Sequence, residues 1–314
     1  MATNGNHELW YTSAPRGLYP GSSGYCVVKA TANMPLALRK TLESLTSYRH
    51  LFSPNDPRAK DNPVGVSCLS VSSGGRRWLV LSRICDAGLD HTMRSNFFAH
   101  HLAIDADAAR SLDPAWLAFQ PGLLADAWDF RTEELAACRN LPQGQELLKP
   151  CSAWQAMCGD SGWAGKVAQA LRDNERVTLL YEPGQPLGHL VREVFSLLPL
   201  EARGRIGFST YFCGLPPETD CRLRCVVKGS AESRVPPSGA GLVLDLSRPL
   251  GPAPDSPLAA AARGGQLAEP AGQRSAAPGA ASGLPVPAPT RADVDPYIMG
   301  PAASAAAPAP ARSS

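Results

Sequence analysis

Two short apolar runs that lie close together, residues 78–84 and 97–104, constrain the fold of this chain more than any other feature. Both runs are rich in strand-forming residues, and both are flanked by polar residues or glycine. Runs of this length with such boundaries are typical of buried strands. We therefore predict two adjacent strands of a sheet, joined by the polar segment that lies between them.

The sequence before and after these runs predicts further elements of the same unit. Alternating residues over 64–71, followed by Ser72-Ser73-Gly74-Gly75, favour a hairpin that leads into the first apolar run. Residues 8–12 and 25–31 are predicted strands. A helix is predicted over 35–50 with Asn33 as its cap, and a second over 105–118 with Asp113 as cap for its later part. Residues 1–140 thus form an α+β N-terminal unit with a mixed sheet.

A second unit, residues 141–248, shows a strand–helix–strand pattern. The predicted strands are 177–181 and 205–212, with a helix over 187–198 between them, after helices over 151–158 and 160–174. This spacing predicts a βαβ unit, which demands a parallel pair. The carboxyl ends, 181–184 and 209–211, are the expected ligand crevice. Pro142, Gly144 and Pro150 indicate a linker, so separate cores are expected for the two units.

The C-terminal residues 249–314 are dominated by Pro, Ala, Gly and Ser. Such a tract cannot offset its ordering entropy by burial, so we predict a disordered tail that is dispensable for folding. Residues 293–300 are more apolar, and they are either a docking motif or a chance cluster. The fold class is accordingly α/β, with a βαβ-containing second unit and a disordered tail.

Composition excludes several classes of protein. The net charge is +2 without a clustered basic face, so no nucleic-acid partner is expected. Nine cysteines at irregular spacing do not suit a secreted disulfide framework. The N-terminus does not resemble a signal peptide, and no apolar run is long enough for membrane insertion. We expect a cytoplasmic protein without a cofactor, and without the glycine-rich loop of a nucleotide hydrolase.

The polar segment and its flanks gather the candidate site residues. The catalytic candidates are Cys85, His100 and His101, and the binding candidates are Arg83, Asp86, Asp90, His91, Arg94 and Asn96. A thiol nucleophile needs a base within hydrogen-bond reach and a third group to orient that base. Alternatively, Cys85 is a small buried apolar residue, and the arginines pair with the nearby aspartates.

Side-chain alternation places His100 and His101 on opposite faces of their strand. Adjacent strand histidines cannot easily share one metal ion, and no Cys-x-x-Cys spacing supports a zinc site, so no metal is expected. His100 shares its face with bulky residues and is expected in the core. His101 lies with Ala99 and Ala103, which leaves room for an opposing element or for a ligand beside Cys85 and Arg94.

Several short motifs together resemble the bacterial GTPase-associated protein family, with a type-2 N-terminal domain followed by a middle domain. The motifs are ELWYTSAPRGL from Glu8, GSSGY from Gly21, YRHL from Tyr48, LSRICDAGLD from Leu81, RSNFFAHH from Arg94 and GFSTYF from Gly207. The resemblance implies a non-enzymatic adaptor of a GTPase encoded nearby, in a bacterial conflict or signalling system. It supplies no catalytic residues. The alternatives are a cysteine–histidine enzyme centred on Cys85 and a small-ligand sensor at the βαβ crevice.

Overall fold

A single mixed sheet runs through the protein in a computed structural model that describes residues 5–136, 139–217, 219–234 and 241–267. These residues contain ten strands: β1 Asn6–Ala14, β2 Gly24–Thr31, β3 Gly65–Ser73, β4 Arg76–Leu89, β5 Ser95–Asp105, β6 Glu133–Leu135, β7 Arg176–Tyr181, β8 Phe208–Ser209, β9 Leu223–Val227 and β10 Gly241–Asp245. The helices in the same residues are α1 Leu36–Ser44, α2 Pro114–Ala118, α3 Ser152–Cys158, α4 Gly162–Arg172, α5 Leu187–Ser196, α6 Leu200–Arg203 and α7 Pro257–Gly264. The expected α/β class is confirmed.

The strand order is β10-β7-β9-β8-β3-β4-β5-β1-β2-β6. Strands β10, β7, β9 and β8 are parallel to one another, and the strands from β8 through β2 pair antiparallel. Strand β6 is parallel to β2. The junction between the two patterns is the β8–β3 pair, so one sheet joins the two predicted units.

The β3–β4 hairpin confirms the prediction from the sequence. Its two turn residues, Gly74 and Gly75, have φ values of 59° and 75°, as a two-residue turn of the favoured hand requires. Strand β4 is longer than expected and reaches Leu89, with an irregular register between Asp86 and Leu89. Cys85 and Asp86 therefore belong to a strand, and only residues 90–94 connect β4 to β5. The apolar pattern missed this extension because the end of β4 is polar and half-exposed.

The predicted helices of the N-terminal unit are shortened in the structure. Asn33 is not the cap of α1: its φ is 59°, and Pro35 occupies the cap position without a side-chain hydrogen bond. The second prediction is right about the cap, because Asp113 accepts hydrogen bonds from the backbone N–H groups of Ala115 and Trp116. Of the predicted helical residues 105–118, only α2 is α-helical, and it follows a 3₁₀ turn over Ala108–Ser111.

The expected βαβ unit has a different pairing. Strands β7 and β8 are parallel, but β9 lies between them and pairs with both. Strand β8 is much shorter than residues 205–212, because the backbone N–H groups of Arg205 and Ile206 bond back to Ala202 and Arg203 in a turn. The sequence spacing could not show that a later strand inserts between the two.

One apolar core spans both predicted units, so the expectation of separate cores is wrong. Its members come from both segments, among them Val66, Leu81, Leu102, Leu179, Val194 and Phe208. A second cluster on the opposite face of the sheet packs α1 against the antiparallel strands, through Leu38 and Leu42.

Helix α7 corrects the prediction that the chain is disordered from residue 249 onward. Ser256 caps it by accepting from the N–H of Ala259, and Leu258, Ala261 and Ala262 are buried. The alanine run gives α7 a thin apolar face, and Gly165 of α4 leaves room for its close approach. A Cβ on Gly165 would lie only 2.3 Å from the backbone of Leu258.

Residues 268–314, including the segment 293–300, lie outside the described residues. None of the described helices is long and apolar enough to cross a membrane.

Candidate functional site at the β4–β5 turn

The Asp90 carboxylate organises the turn between β4 and β5. One of its oxygens accepts hydrogen bonds from Thr92 N (2.8 Å), Thr92 Oγ1 (2.7 Å) and Arg94 N (3.0 Å). The other accepts from Ser13 Oγ on β1 at 2.8 Å. These bonds, those from Thr92 foremost, hold the pKa of Asp90 well below its usual range. The carboxylate therefore stays ionised at neutral pH and fixes the turn to the neighbouring strand.

Exposed side chains project from this fixed turn. Met93 is 74% exposed and has a φ of 62°, a conformation that L-residues rarely adopt. The Arg94 side chain is 71% exposed and lies 3.6 Å from Asp90. Tyr25 lies beside the turn, where its ring stacks on Phe97 with centroids 4.6 Å apart. We name Tyr25, His91, Met93 and Arg94 the turn surface.

Two other binding candidates, Asn96 and Asp86, already have partners within the protein. Asn96 is buried and bonds through its amide to Thr12 Oγ1 at 3.0 Å and Ser13 N at 3.1 Å. Asp86 accepts from Asn62 Nδ2 and from the N–H of Gly88, both at 2.8 Å. Asn96 therefore supports the turn from β5, whereas Asp86 links β4 to the loop at Asn62.

Cys85 and His100 share one face of the sheet but do not form a catalytic pair. The Cys85 thiol donates to the carbonyl of Asp126 at 3.2 Å. Both ring nitrogens of His100 are engaged, since Nδ1 accepts from Ala125 N at 2.8 Å and Nε2 bonds to Glu8 Oε2 at 3.0 Å. Burial raises the pKa of Cys85. A protonated thiol without a base does not favour a cysteine–histidine enzyme.

Arg83 lies directly opposite His100 in the β4–β5 ladder. It forms no ion pair with Asp86 or Asp90 or with any other described carboxylate. Its positive charge opposes the effect of burial on the Cys85 thiol, because it favours the thiolate.

His101 lies on the other face of the sheet and is fully buried. Its Nδ1 bonds to Ser82 Oγ at 2.7 Å, and its Nε2 has no partner among the described residues. Of the two alternatives for this face, the space for a ligand beside Cys85 and Arg94 is not formed, because Cys85 points to the opposite face and α1 packs over Leu9 and Ala103 on the face of His101. The small neighbours on the strand made room for an opposing element, α1.

Several residues that support the site, Thr92 among them, were not among the candidates predicted from the sequence. Glu8 holds both His100 and the guanidinium of Arg139, whose Nε lies 2.7 Å from its carboxylate. Ser13 ties the turn to β1. The only signal was that Glu8 begins the predicted strand 8–12 and Ser13 directly follows it, which does not show where that strand pairs.

Comparison with protein families agrees with this architecture. A profile of the type-2 N-terminal domain of GTPase-associated protein 1 matches residues 5–143. A profile of the middle domain of the same protein matches residues 151–248. The two matches define a GTPase-associated protein of mixed α/β structure. The chain belongs to the GTPase-associated protein 1 family, which confirms the resemblance seen in its motifs, and membership implies a GTPase partner. No curated protein and no solved structure matches the chain.

Proposed function

We propose that this protein is a non-enzymatic, cytoplasmic adaptor that binds a GTPase in a bacterial conflict or signalling system, and that the turn surface is its contact. Family membership supports the GTPase as partner. The observation that carries the choice of surface is the Asp90-centred network, which fixes the backbone from which the exposed Met93 and Arg94 side chains project.

The residue types of the turn surface suit protein recognition. Tyr, Met and Arg are enriched in interfaces relative to the rest of protein surfaces. A surface that is already ordered loses less conformational entropy on binding than a flexible loop. The bonds from the backbone N–H groups of Thr92 and Arg94 to Asp90 supply this order, since they fix the backbone on both sides of Met93.

Binding of the full chain to GTPases encoded beside its gene tests the proposal, with each GTPase loaded with GDP or with a non-hydrolysable GTP analogue. Met93→Gly and Arg94→Ala are each expected to weaken the Kd about tenfold or more, the usual effect at a central interface residue. Glycine suits the φ of 62° at position 93, so Met93→Gly removes the side chain without straining the turn.

Arg110→Ala is the matched control, because the Arg110 side chain is 75% exposed and lies away from the turn. Isothermal titration calorimetry gives the Kd of each variant. Binding to no GTPase in either nucleotide state would refute the proposed partner. Equal loss in all three variants, or loss in none, would refute the turn surface.

A further inference from the structure

A cleft of about 460 Å³ lies at the carboxyl ends of β7 and β8, away from the turn surface. Tyr181 and Thr210 line it from the strand ends. Residues 184–188 form one wall, residues 60–64 form the opposite wall, and Phe119 contributes a ring. The strand ends therefore meet in a space that is large enough for a small organic molecule.

The N-terminus of α5 opens into this cleft without a cap. Pro186 occupies the cap position, makes no side-chain hydrogen bond, and is followed by a first turn that holds no acidic residue. The N–H groups of Leu187, Gly188 and His189 have no acceptor within the helix. Free N–H groups and the positive end of the helix dipole together favour an anion at this position.

The buried hydroxyl of Tyr181, a residue that lines the cleft, supplies an independent observation. Tyr181 is 2% exposed, and its hydroxyl has no hydrogen-bond partner among the described residues. Burial raises the pKa of Tyr181, so the phenol stays protonated and can donate. Leaving such a group unpaired in the interior costs free energy, which a ligand oxygen would recover.

The other polar side chains of the cleft are mostly occupied. Thr210 Oγ1 accepts from Val66 N and donates to the carbonyl of Val64. Gln185 bonds to the N–H of Glu182 and to the carbonyl of Leu246. Lys60 and Asp61 add one charge of each sign, and Lys60 forms no ion pair among the described residues. The available donors are thus the Tyr181 hydroxyl, the α5 N–H groups and the Lys60 ammonium.

The rest of the cleft lining is apolar and comes from Phe119, Pro63, Val66 and Leu187. Phe119 lies so close to α5 that a Cβ on Gly188 would be 2.9 Å from its ring. We propose that the cleft binds a small organic oxyanion, a carboxylate or a phosphate monoester, whose charged group bonds to the α5 N-terminus and whose apolar body lies against Phe119. This proposal does not rest on the proposed GTPase contact.

Titration of the ¹⁵N-labelled full chain tests it by NMR. Phenyl phosphate and benzoate are the probes, phenol is the neutral control with the same ring, and inorganic phosphate is the control without the ring. Phenyl phosphate or benzoate is expected to shift the amide signals of Leu187, Gly188 and His189, whereas phenol leaves them unchanged. The N-terminus of α7, which Ser256 already caps, is the internal control. Saturable shifts of the α5 amides with either anion support the site, and their absence with both overturns it.

Two variants then test the donors. Tyr181→Phe removes only the hydroxyl, and Lys60→Met removes the ammonium group but keeps an unbranched side chain. Each is expected to weaken the binding of phenyl phosphate by roughly three- to tenfold. Lys40→Met, an exposed lysine on α1, is the matched control. Unchanged affinity in both variants would overturn the assignment of these donors. GTPase binding is expected to be the same in all three variants, so failure here is distinct from failure of the turn surface.

Discussion

The two adjacent histidines of β5 have different environments. His100 uses both ring nitrogens, and so it connects β5 to Glu8 of β1 and to the backbone at Ala125. His101 keeps one nitrogen unpaired in the apolar layer beneath α1. Neutral imidazole satisfies the pattern at His100, because Nδ1 accepts and Nε2 donates. Burial lowers the pKa of both side chains.

Stability below neutral pH is expected to depend on His101. Burial lowers its pKa to about 3 in the folded chain, against 6.5 for the free side chain. As the pH falls below 6.5, the unfolded chain takes up a proton that folded His101 does not. Its contribution is therefore full above about pH 6.5 and is lost towards pH 3, by at most about 1.4 kcal/mol per pH unit.

Urea unfolding from about pH 6.5 to about pH 4 measures this dependence. His101→Gln is expected to show a flatter decline than the wild type, whatever its absolute stability, because glutamine does not titrate. His189→Gln is the control, since His189 is exposed. The same slope in wild type and His101→Gln would contradict the neutral buried state of His101.

At the scale of single elements, the β3–β4 hairpin depends on its two glycines. Gly75 has a φ of 75°, and a Cβ there would meet nothing within 4 Å. Gly75→Ala should therefore destabilise the fold through backbone conformation alone, by about 1–2 kcal/mol. Gly75→Asn should cost less, because asparagine tolerates this region. Chemical denaturation of both variants checks the order, and equal losses would point to a steric cause instead.

The elements that the sequence predicted are those whose signals are local. The hairpin turn needed only Gly74 and Gly75, and the Asp113 cap needed only the helix that follows it. The insertion of β9 between β7 and β8, and the attachment of α7 to α4, depend on partners that are distant in the chain. Likewise, the sequence gathered the polar residues near Asp90 but not the Ser13 hydroxyl, which arrives from another strand.

At the scale of the whole molecule, α7 is expected to contribute to stability, contrary to the prediction of a dispensable tail from residue 249. Arg263 bonds to Asp160 at 2.8 Å, and the N–H of Cys151 bonds to the carbonyl of Ala262 at 2.8 Å. A chain of residues 1–250 should melt roughly 5–10 °C below one of residues 1–267, because it exposes the apolar groups beneath α7.

Differential scanning calorimetry of the two truncated chains measures this effect. Leu258→Ser should reproduce much of the loss within residues 1–267, because Leu258 is buried against the core. Leu267→Ser is its control, since Leu267 is exposed. Equal melting temperatures of the two truncated chains would show that α7 adds nothing to the fold.

A buried ion pair joins the two segments that the family profiles match. The Arg203 guanidinium donates to the Asp113 carboxylate, to the carbonyl of Glu146 at 3.1 Å, and to those of Leu198 and Ser196 at 3.0 and 3.2 Å. Asp113 also caps α2. Together with the common sheet and core, this arrangement predicts that the segments unfold in one cooperative step.

Arg203→Met is expected to destabilise both segments equally, by about 3–5 kcal/mol, because it leaves the Asp113 carboxylate buried without its partner. Arg205→Met is the control, since Arg205 is exposed. Hydrogen exchange followed by mass spectrometry compares peptides from residues 65–105 with peptides from residues 176–227. In the variant, the free energy of opening derived from hydrogen exchange should fall by the same amount in both sets of peptides. A loss confined to residues 176–227 would show that the segments are separate folding units that share a sheet without sharing their stability.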